Sequence, residues 1–210
     1  MDDYNFQENL TELIIKILFD VKPASKADAA YIFAQTSDNQ KNLFDTALEL
    51  YKNKDIGKIV ICGEEGKTGY PGFTNWQSKL VSLGIKQEDI IGFRTIDGSI
   101  NTLVEAEGLV DFAKKKNWSV VYAISTPFHQ IRVFITIVSV LKKSHSYLNI
   151  FNKSAPAMPW NESVLHSQGI LRALRAELIR HELERIKRYY KQGDLISSKE
   201  VLDYLNKRAI

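Results

Sequence analysis

Five short runs of almost uninterrupted apolar residues, each separated from the next by a longer stretch of helical spacing, limit this chain to a small set of folds. The runs are Ala29 to Ala34, Lys58 to Cys62, Ile90 to Phe93, Ser119 to Ser125 and Tyr147 to Phe151. A strand with one wet face alternates apolar and polar residues. A run as continuous as Val120-Val121-Tyr122-Ala123-Ile124 predicts a strand covered on both faces, and hence a mainly parallel sheet between helices. Between the runs, Leu43, Ala47, Leu50 and Tyr51 mark one helical face, and Leu80 and Leu83 part of a second. Leu103, Leu109, Val110 and Ala113 mark a third, and Phe128, Arg132 and Ile135 open a fourth. The expected fold class is α/β, a three-layer sandwich around a mainly parallel sheet of about five strands.

The chain divides into an N-terminal helical segment, residues 1–25, an α/β unit, 26–152, and a C-terminal extension, 153–210, packed on the same domain. The extension starts with the proline-bearing loop Ser154 to Asn161. A long helical pattern follows through Leu171, Leu174, Leu178, Ile186 and Tyr190, Gly193-Asp194 breaks it, and Ser197-Ser198-Lys199-Glu200 opens a last short helix. At 210 residues and 44% hydrophobic, the chain can bury one sizeable core. A net charge of +3, from 28 basic against 25 acidic residues, is too balanced for a nucleic-acid or acidic-membrane footprint. Cys62, the sole cysteine, ends an apolar run and suits a buried thiol in a reducing compartment. The acidic start Met1-Asp2-Asp3-Tyr4 is unlike a secretory signal, and the longest apolar stretch, around Val133 to Leu141, is too short to span a bilayer. These features predict a soluble cytoplasmic protein with neither a membrane nor a nucleic acid as partner.

The candidate site lies where strands end. Ser125-Thr126-Pro127-Phe128-His129-Gln130-Ile131-Arg132 joins the fourth strand run directly to a helix, and open α/β sheets bind ligands at the carboxyl ends of their strands. Thr126-Pro127 reads as an N-cap followed by proline at the first helical position. His129 then falls in the first turn, where the positive end of the helix dipole disfavours its protonated form, and Arg132 lies one turn on, with a planar fork suited to carboxylate or phosphate. A neutral imidazole there can orient a ligand or exchange a proton with it. Ser99, Asn101 and Thr102 follow the third strand run as further ligand candidates, although Thr102 and Glu105 also fit a capping box.

The glycine-bearing loop Gly63 to Gly72 imitates a phosphate loop at Gly66-Lys67-Thr68. The leading glycine of that motif would have to stand at Ile61, so a nucleotide triphosphatase reading fails on spacing. The segment after the first strand, Gln35-Thr36-Ser37-Asp38-Asn39, lacks the glycine turn of dinucleotide-binding domains. Four glycines still permit outward amides able to cup an anion, which makes Gly63 and Glu64 candidates. Asp38, Glu64, Glu65 and Asp97 are metal-ligand candidates only by number, since no histidine pair has ligand spacing.

Taken in order, Lys26-Ala27-Asp28-Ala29-Ala30-Tyr31-Ile32-Phe33, Cys62-Gly63, Leu83-Gly84-Ile85-Lys86-Gln87-Glu88-Asp89-Ile90, Asn101-Thr102 and Ser125 to Arg132 resemble the YdcF/SanA-like family of bacterial domains of unknown function. The resemblance covers about residues 26 to 152, and the last motif is its most specific part. It places the family's Asn-Thr pair on Asn101 and Thr102, and its Thr-Ser-x-Tyr-His-x-x-Arg motif on Ser125, Thr126, Phe128, His129 and Arg132. Glu64 replaces a second glycine and Val104 replaces an acid, as in a divergent member. The resemblance implies a Rossmann-like sheet with polar motifs gathered at one edge. It also implies S-adenosylmethionine as a candidate ligand, and a role in envelope integrity for membrane-anchored relatives.

Two classes of function follow. The first is a binding protein, or an enzyme with weak acid/base or transfer chemistry, that holds a phosphorylated or nucleotide-like metabolite. Its anionic part would meet Arg132 and the Gly63 to Gly69 loop, with His129 orienting it and the Pro156 to Trp160 loop closing over it. The alternative is a non-catalytic interaction or dimerisation protein, monomer or homodimer, that uses a C-terminal helix exposing Arg172, Arg175, Arg180, Arg185, Lys187 and Arg188. An S-adenosylmethionine methyltransferase and a metal hydrolase are weaker readings.

Overall fold

Alternate side chains of the first strand, β1 (Ala27–Ile32), enter two different cores. Ala29, Tyr31 and the following Phe33 belong to one, Ala30 and Ile32 to the other. This is the physical reason for the continuous apolar run: no side of the strand meets water. The computed structural model describes residues 9–165 and 171–208; the first eight residues of the N-terminal segment fall outside that range.

Four more strands, β2 (Ile56–Cys62), β3 (Ile90–Phe93), β4 (Val120–Ser125) and β5 (Asn149–Ser154), complete a sheet of order β3-β2-β1-β4-β5. Every pairing is parallel, with Ala30 opposite both Ile59 and Tyr122. The order reverses between β1 and β4, so the connections after these two strands leave in opposite directions and open a crevice at their carboxyl ends. Helices α2 (Lys41–Lys52) and α3 (Phe73–Ser82) cover one face, through Leu43, Ala47, Leu50, Trp76 and Leu80. Helices α1 (Leu10–Leu18), α4 (Thr102–Lys115) and α5 (Pro127–Ser144) cover the other, and α6 (Arg175–Lys191) and α7 (Ser198–Lys207) pack beyond α5. The structure is thus an α/β sandwich with a parallel five-stranded sheet and C-terminal helices.

Three expectations are corrected. The last strand begins at Asn149 rather than Tyr147, because α5 ends on His145 in the left-handed region (φ 50°) and the connection that follows leaves Tyr147 96% exposed. Leu83, expected on a buried helical face, is the half-exposed cap of α3. Leu171 and Leu174 do not belong to the long helix. Arg172–Leu174 is a strand, β7, antiparallel to β6 (Ser163–Leu165), and α6 starts only at Arg175, with Leu174 N–H donating to Glu177 (2.9 Å) as its first-turn cap. Helical spacing from Leu171 through Leu174 to Leu178 concealed a three-residue hairpin strand whose one leucine, Leu174, is exposed.

In α5 every residue from Phe128 to Leu141 is buried. A helix covered all round keeps its polar groups only if they find partners inside the protein. Thr136 and Ser139 donate to the carbonyls one turn back, at 2.7 Å each, while Gln130 donates to Ala123 O and to Asn152 Oδ1. His129 and Arg132 find theirs at the crevice.

Candidate functional site

His129 sits 2% exposed in the first turn of α5, at the carboxyl ends of β1 and β4. Thr126 caps the helix with Pro127 at its first position, as the sequence predicts, but its hydroxyl is not the capping group. Thr126 Oγ1 is buried without a hydrogen bond, and Thr126 lines a separate cavity of about 10 Å³ with Asn39, Asn42, Phe128 and Trp160. The imidazole lies between two sets of partners. Gln35 (2.6 Å) and Ser125 Oγ (3.1 Å) meet Nδ1; Thr102 Oγ1 (3.1 Å) and Arg132 NH2 (2.9 Å) meet Nε2.

The Arg132 contact sets the tautomer of the neutral ring. A guanidinium only donates, so Nε2 must carry a lone pair, and the proton of a neutral imidazole then sits on Nδ1. Ser125 Oγ accepts it, and the Gln35 amide, whose nitrogen faces the ring, has to turn its oxygen there to do the same.

Arg132 is 6% exposed, and its fork is engaged. Nε and NH2 donate to the buried Glu182 of α6, and NH1 donates to Thr102 Oγ1 at 2.7 Å. Glu182 also accepts from Arg185 at 3.1 Å. The anion in the plane of Arg132 is therefore supplied by the chain itself. An ion pair this deeply buried holds α6 to α5, because removing either partner would leave a charge without compensation.

Glu105 takes a part that its capping pattern conceals. The N-cap of α4 is Asn101, whose Oδ1 accepts from the amides of Leu103 and Val104, both at 3.1 Å. The expected Thr102–Glu105 capping box does not form: the Thr102 hydroxyl is drawn to His129 and Arg132, and the Glu105 carboxyl turns inward. Its Oε1 accepts from Tyr31 OH (2.8 Å) and Ala34 N–H (2.9 Å). Burial pushes this carboxyl up to about 7, against the opposing pull of the Ala34 amide, the Tyr31 hydroxyl and the Arg132 charge.

Asn101, Thr102, Glu105, His129 and Arg132 line a cleft of about 90 Å³, closed on its outer side by Arg185, Arg188 and Tyr189 of α6. Arg188 is exposed; it stacks on the Tyr189 ring (4.9 Å) and donates to its hydroxyl (3.2 Å). Three guanidinium groups thus border the cleft, against the Glu182 carboxylate and the buried Glu105, whose carboxyl is pushed up to about 7. The volume is far below the roughly 300–1,000 Å³ of cavities that enclose drug-sized molecules, and suits one phosphate- or carboxylate-sized group.

Of the nine residues singled out in the sequence, Asn101, Thr102, His129 and Arg132 line this cleft and Ser125 supports His129 from behind. Gly63, Glu64 and Ser99 belong elsewhere. Gly63 donates to Phe93 O (2.8 Å), and a side chain there would meet that same oxygen at 2.8 Å, so its glycine answers to packing between β2 and β3. Glu64 accepts from the Thr95 amide at 2.8 Å, and the single proton of the Thr95 hydroxyl is shared between Ser99 O (2.8 Å) and Glu64 Oε1 (3.1 Å). These bonds tie the loops after β2 and β3 together. The Pro156 to Trp160 loop lies beside Thr126 rather than over the cleft, tied to Asn42 (2.9 Å) and Arg175. Arg175, expected on the exposed helix face, is 2% exposed, because its guanidinium also reaches Asn39 and Glu162.

Gln35, Glu182 and Tyr189 escape a reading by motif, Glu105 was read only as a cap, and Arg185 and Arg188 only as an exposed helix face, of which Arg185 is half-buried by its bond to Glu182. One signal was present: Glu182 stands midway between Leu178 and Ile186 on the buried stripe of α6, and an acid on such a stripe requires a buried cation. Among the described residues, no group of three His, Cys, Asp or Glu side chains is placed to hold a metal ion, and no helix is long and apolar enough to cross a membrane. No protein-family model, curated protein or solved structure matches the chain.

Proposed function

We propose that this chain is a YdcF-like protein that binds a phosphorylated or nucleotide-like small metabolite by its anionic end, in the cleft between α4, α5 and α6. One observation carries the reading: a cleft at the carboxyl ends of the strands, next to the point where the strand order reverses, bordered by Arg132, Arg185 and Arg188 around a neutral His129. The anionic group enters and the rest of the molecule lies outside, since about 90 Å³ takes in no more. S-adenosylmethionine remains a candidate through its carboxylate. His129 orients the bound group indirectly, its Nε2 lone pair holding the Arg132 guanidinium in place, and any acid/base or transfer chemistry would pass through the same ring and Glu105.

A second reading rests on Leu171, Leu174 and Ile179, which stand 47%, 43% and 40% exposed near the start of α6. There they could seat a partner or a second copy.

Thermal shift with nucleotides, sugar phosphates, S-adenosylmethionine and sulfate separates the two. A ligand at 100 times its Kd stabilises by about 2.7 kcal/mol, which raises Tm by roughly 5–10 °C in a protein of this size. The shift is expected in the wild type and lost in Arg188→Ala and His129→Gln. Shifts unchanged in both variants overturn the proposed cleft. No shift with any anion, together with a mass that grows with concentration, establishes the second reading instead.

A further inference from the structure

The Glu105 side chain is held firmly and incompletely. Tyr31 OH and Ala34 N–H fix Oε1, which leaves Oε2 without a hydrogen bond among the described residues, in a side chain that lines the cleft. A carboxylate oxygen and the oxygen of a bound anion cannot share so small a space unless a proton lies between them. We infer that Glu105 is the proton donor of the site: its carboxyl donates a hydrogen bond to the anion bound in the cleft, so that binding takes up one proton. The inference rests on the proposed anion-binding function and deepens it, because it selects anions that accept a hydrogen bond from a neutral acid.

The surroundings leave Glu105 as the group that titrates. Burial pushes the facing Tyr31 hydroxyl upward, does the same to Tyr70, and takes the Cys62 thiol up to about 12, so none of these gains or loses a proton near neutrality. From α5, His129 already accepts at Nε2 and Arg132 only donates; from α6, Arg185 and Arg188 contribute fixed positive charge and Glu182 is engaged with Arg132 and Arg185. Glu105 itself, near 7, is neutral below that pH and charged above it.

Sulfate is the informative probe, because it carries no proton of its own near neutral pH. Titration calorimetry at pH 8, in buffers of different ionisation enthalpy, is expected to show close to one proton taken up per sulfate bound by the wild type and none by Glu105→Gln. Glutamine keeps an oxygen for Tyr31 and Ala34 and offers a permanent N–H donor to the anion. Wild-type affinity should fall about tenfold per pH unit above 7, and the variant should bind with a flat profile. In Tyr31→Phe, which removes a donor that favours the charged carboxylate, the wild-type fall should begin at higher pH. Sulfate binding with no proton uptake and a flat wild-type profile overturns the role of Glu105 and leaves the cleft standing. So does a Tyr31→Phe profile superimposed on the wild type. Failure of sulfate, phosphate and acetate to bind either protein at any pH overturns the cleft itself.

Discussion

Glu105 should leave its mark on stability even with the cleft empty. Its carboxyl titrates near 7 in the folded protein against 4.5 when unperturbed, so between these values the unfolded chain releases a proton that the folded chain retains. The sign follows: this stabilisation is complete below about pH 4.5 and is lost as pH rises through about 7, for a total on the order of 3 kcal/mol. Glu200 works in the opposite direction and in another window. The Lys142 ammonium and the Ser197 amide hold its carboxyl down to about 2, so its contribution is lost only as pH falls below the ordinary carboxylate range. Urea midpoints measured from pH 5 to pH 8 should therefore decline more steeply for the wild type than for Glu105→Gln; parallel declines would show that Glu105 is ionised throughout. At this scale the sequence singled out His129, Arg132, Thr102 and Asn101, which the fold brings to one cleft, because polar residues at strand ends are conspicuous. It did not reveal what engages them. Glu182 stands 50 positions from Arg132, and nothing local encodes that pairing.

The strand β5 lies at an edge of the sheet, where unpaired backbone groups invite another chain. Side chains from both ends of the sequence occupy these groups. Tyr204 OH accepts from Ile150 N–H (2.8 Å) and donates to Leu148 O (3.1 Å), the Asp20 carboxylate accepts from Asn152 N–H (2.8 Å), and Arg208 donates to Ile150 O (2.6 Å). Arg208 pairs with Asp20 at 2.5 Å and lies 3.9 Å from the centre of the Phe151 ring, which locks the segment after α1 and the end of α7 onto one strand. Both partners of this pair are almost fully buried. Asp20→Ala would strand the arginine, and a loss of about 3–5 kcal/mol is expected in urea unfolding. Because the edge is also uncovered, unfolding of that variant should become prone to aggregation; an unfolding free energy within about 0.5 kcal/mol of the wild type would show that water replaces the carboxylate without cost. The strands themselves were legible to within two or three residues, since burial on both faces makes them continuous. The β6–β7 hairpin was not, because three residues are too few to show a period and its leucines continue the spacing of the helix beyond.

Seen as a whole molecule, the C-terminal extension completes the core. The cluster that begins with Leu13 and Ile17 of α1 runs through Tyr31, Val121 and Phe134 to Ile186 of α6 and Val201, Leu202 and Leu205 of α7. The spacing of Phe128, Arg132 and Ile135 revealed one face of α5, whereas the burial of its other faces depends on α1 and the C-terminal helices, about 30 or more residues away, and could not be read locally. Ser139 makes the dependence concrete: its hydroxyl accepts the Ile196 amide (3.0 Å), so the turn between α6 and α7 is bonded to the middle of α5. If the molecule is one cooperative unit, damage at α7 must be felt on the far face of the sheet, where Trp76 packs with Phe44 and Tyr70. Truncating the buried Leu202 to alanine removes about 2–5 kcal/mol of packing. With Trp118 and Trp160 replaced by phenylalanine, Trp76 fluorescence reports the opposite core alone, and far-UV circular dichroism reports all the helices. Leu202→Ala should lower both transitions to the same midpoint. A Trp76 transition that keeps its wild-type midpoint while part of the helical signal melts earlier would mean that the extension folds onto a sheet domain already complete without it, and that the roof over His129 and Arg132 can open while the rest of the protein stays folded.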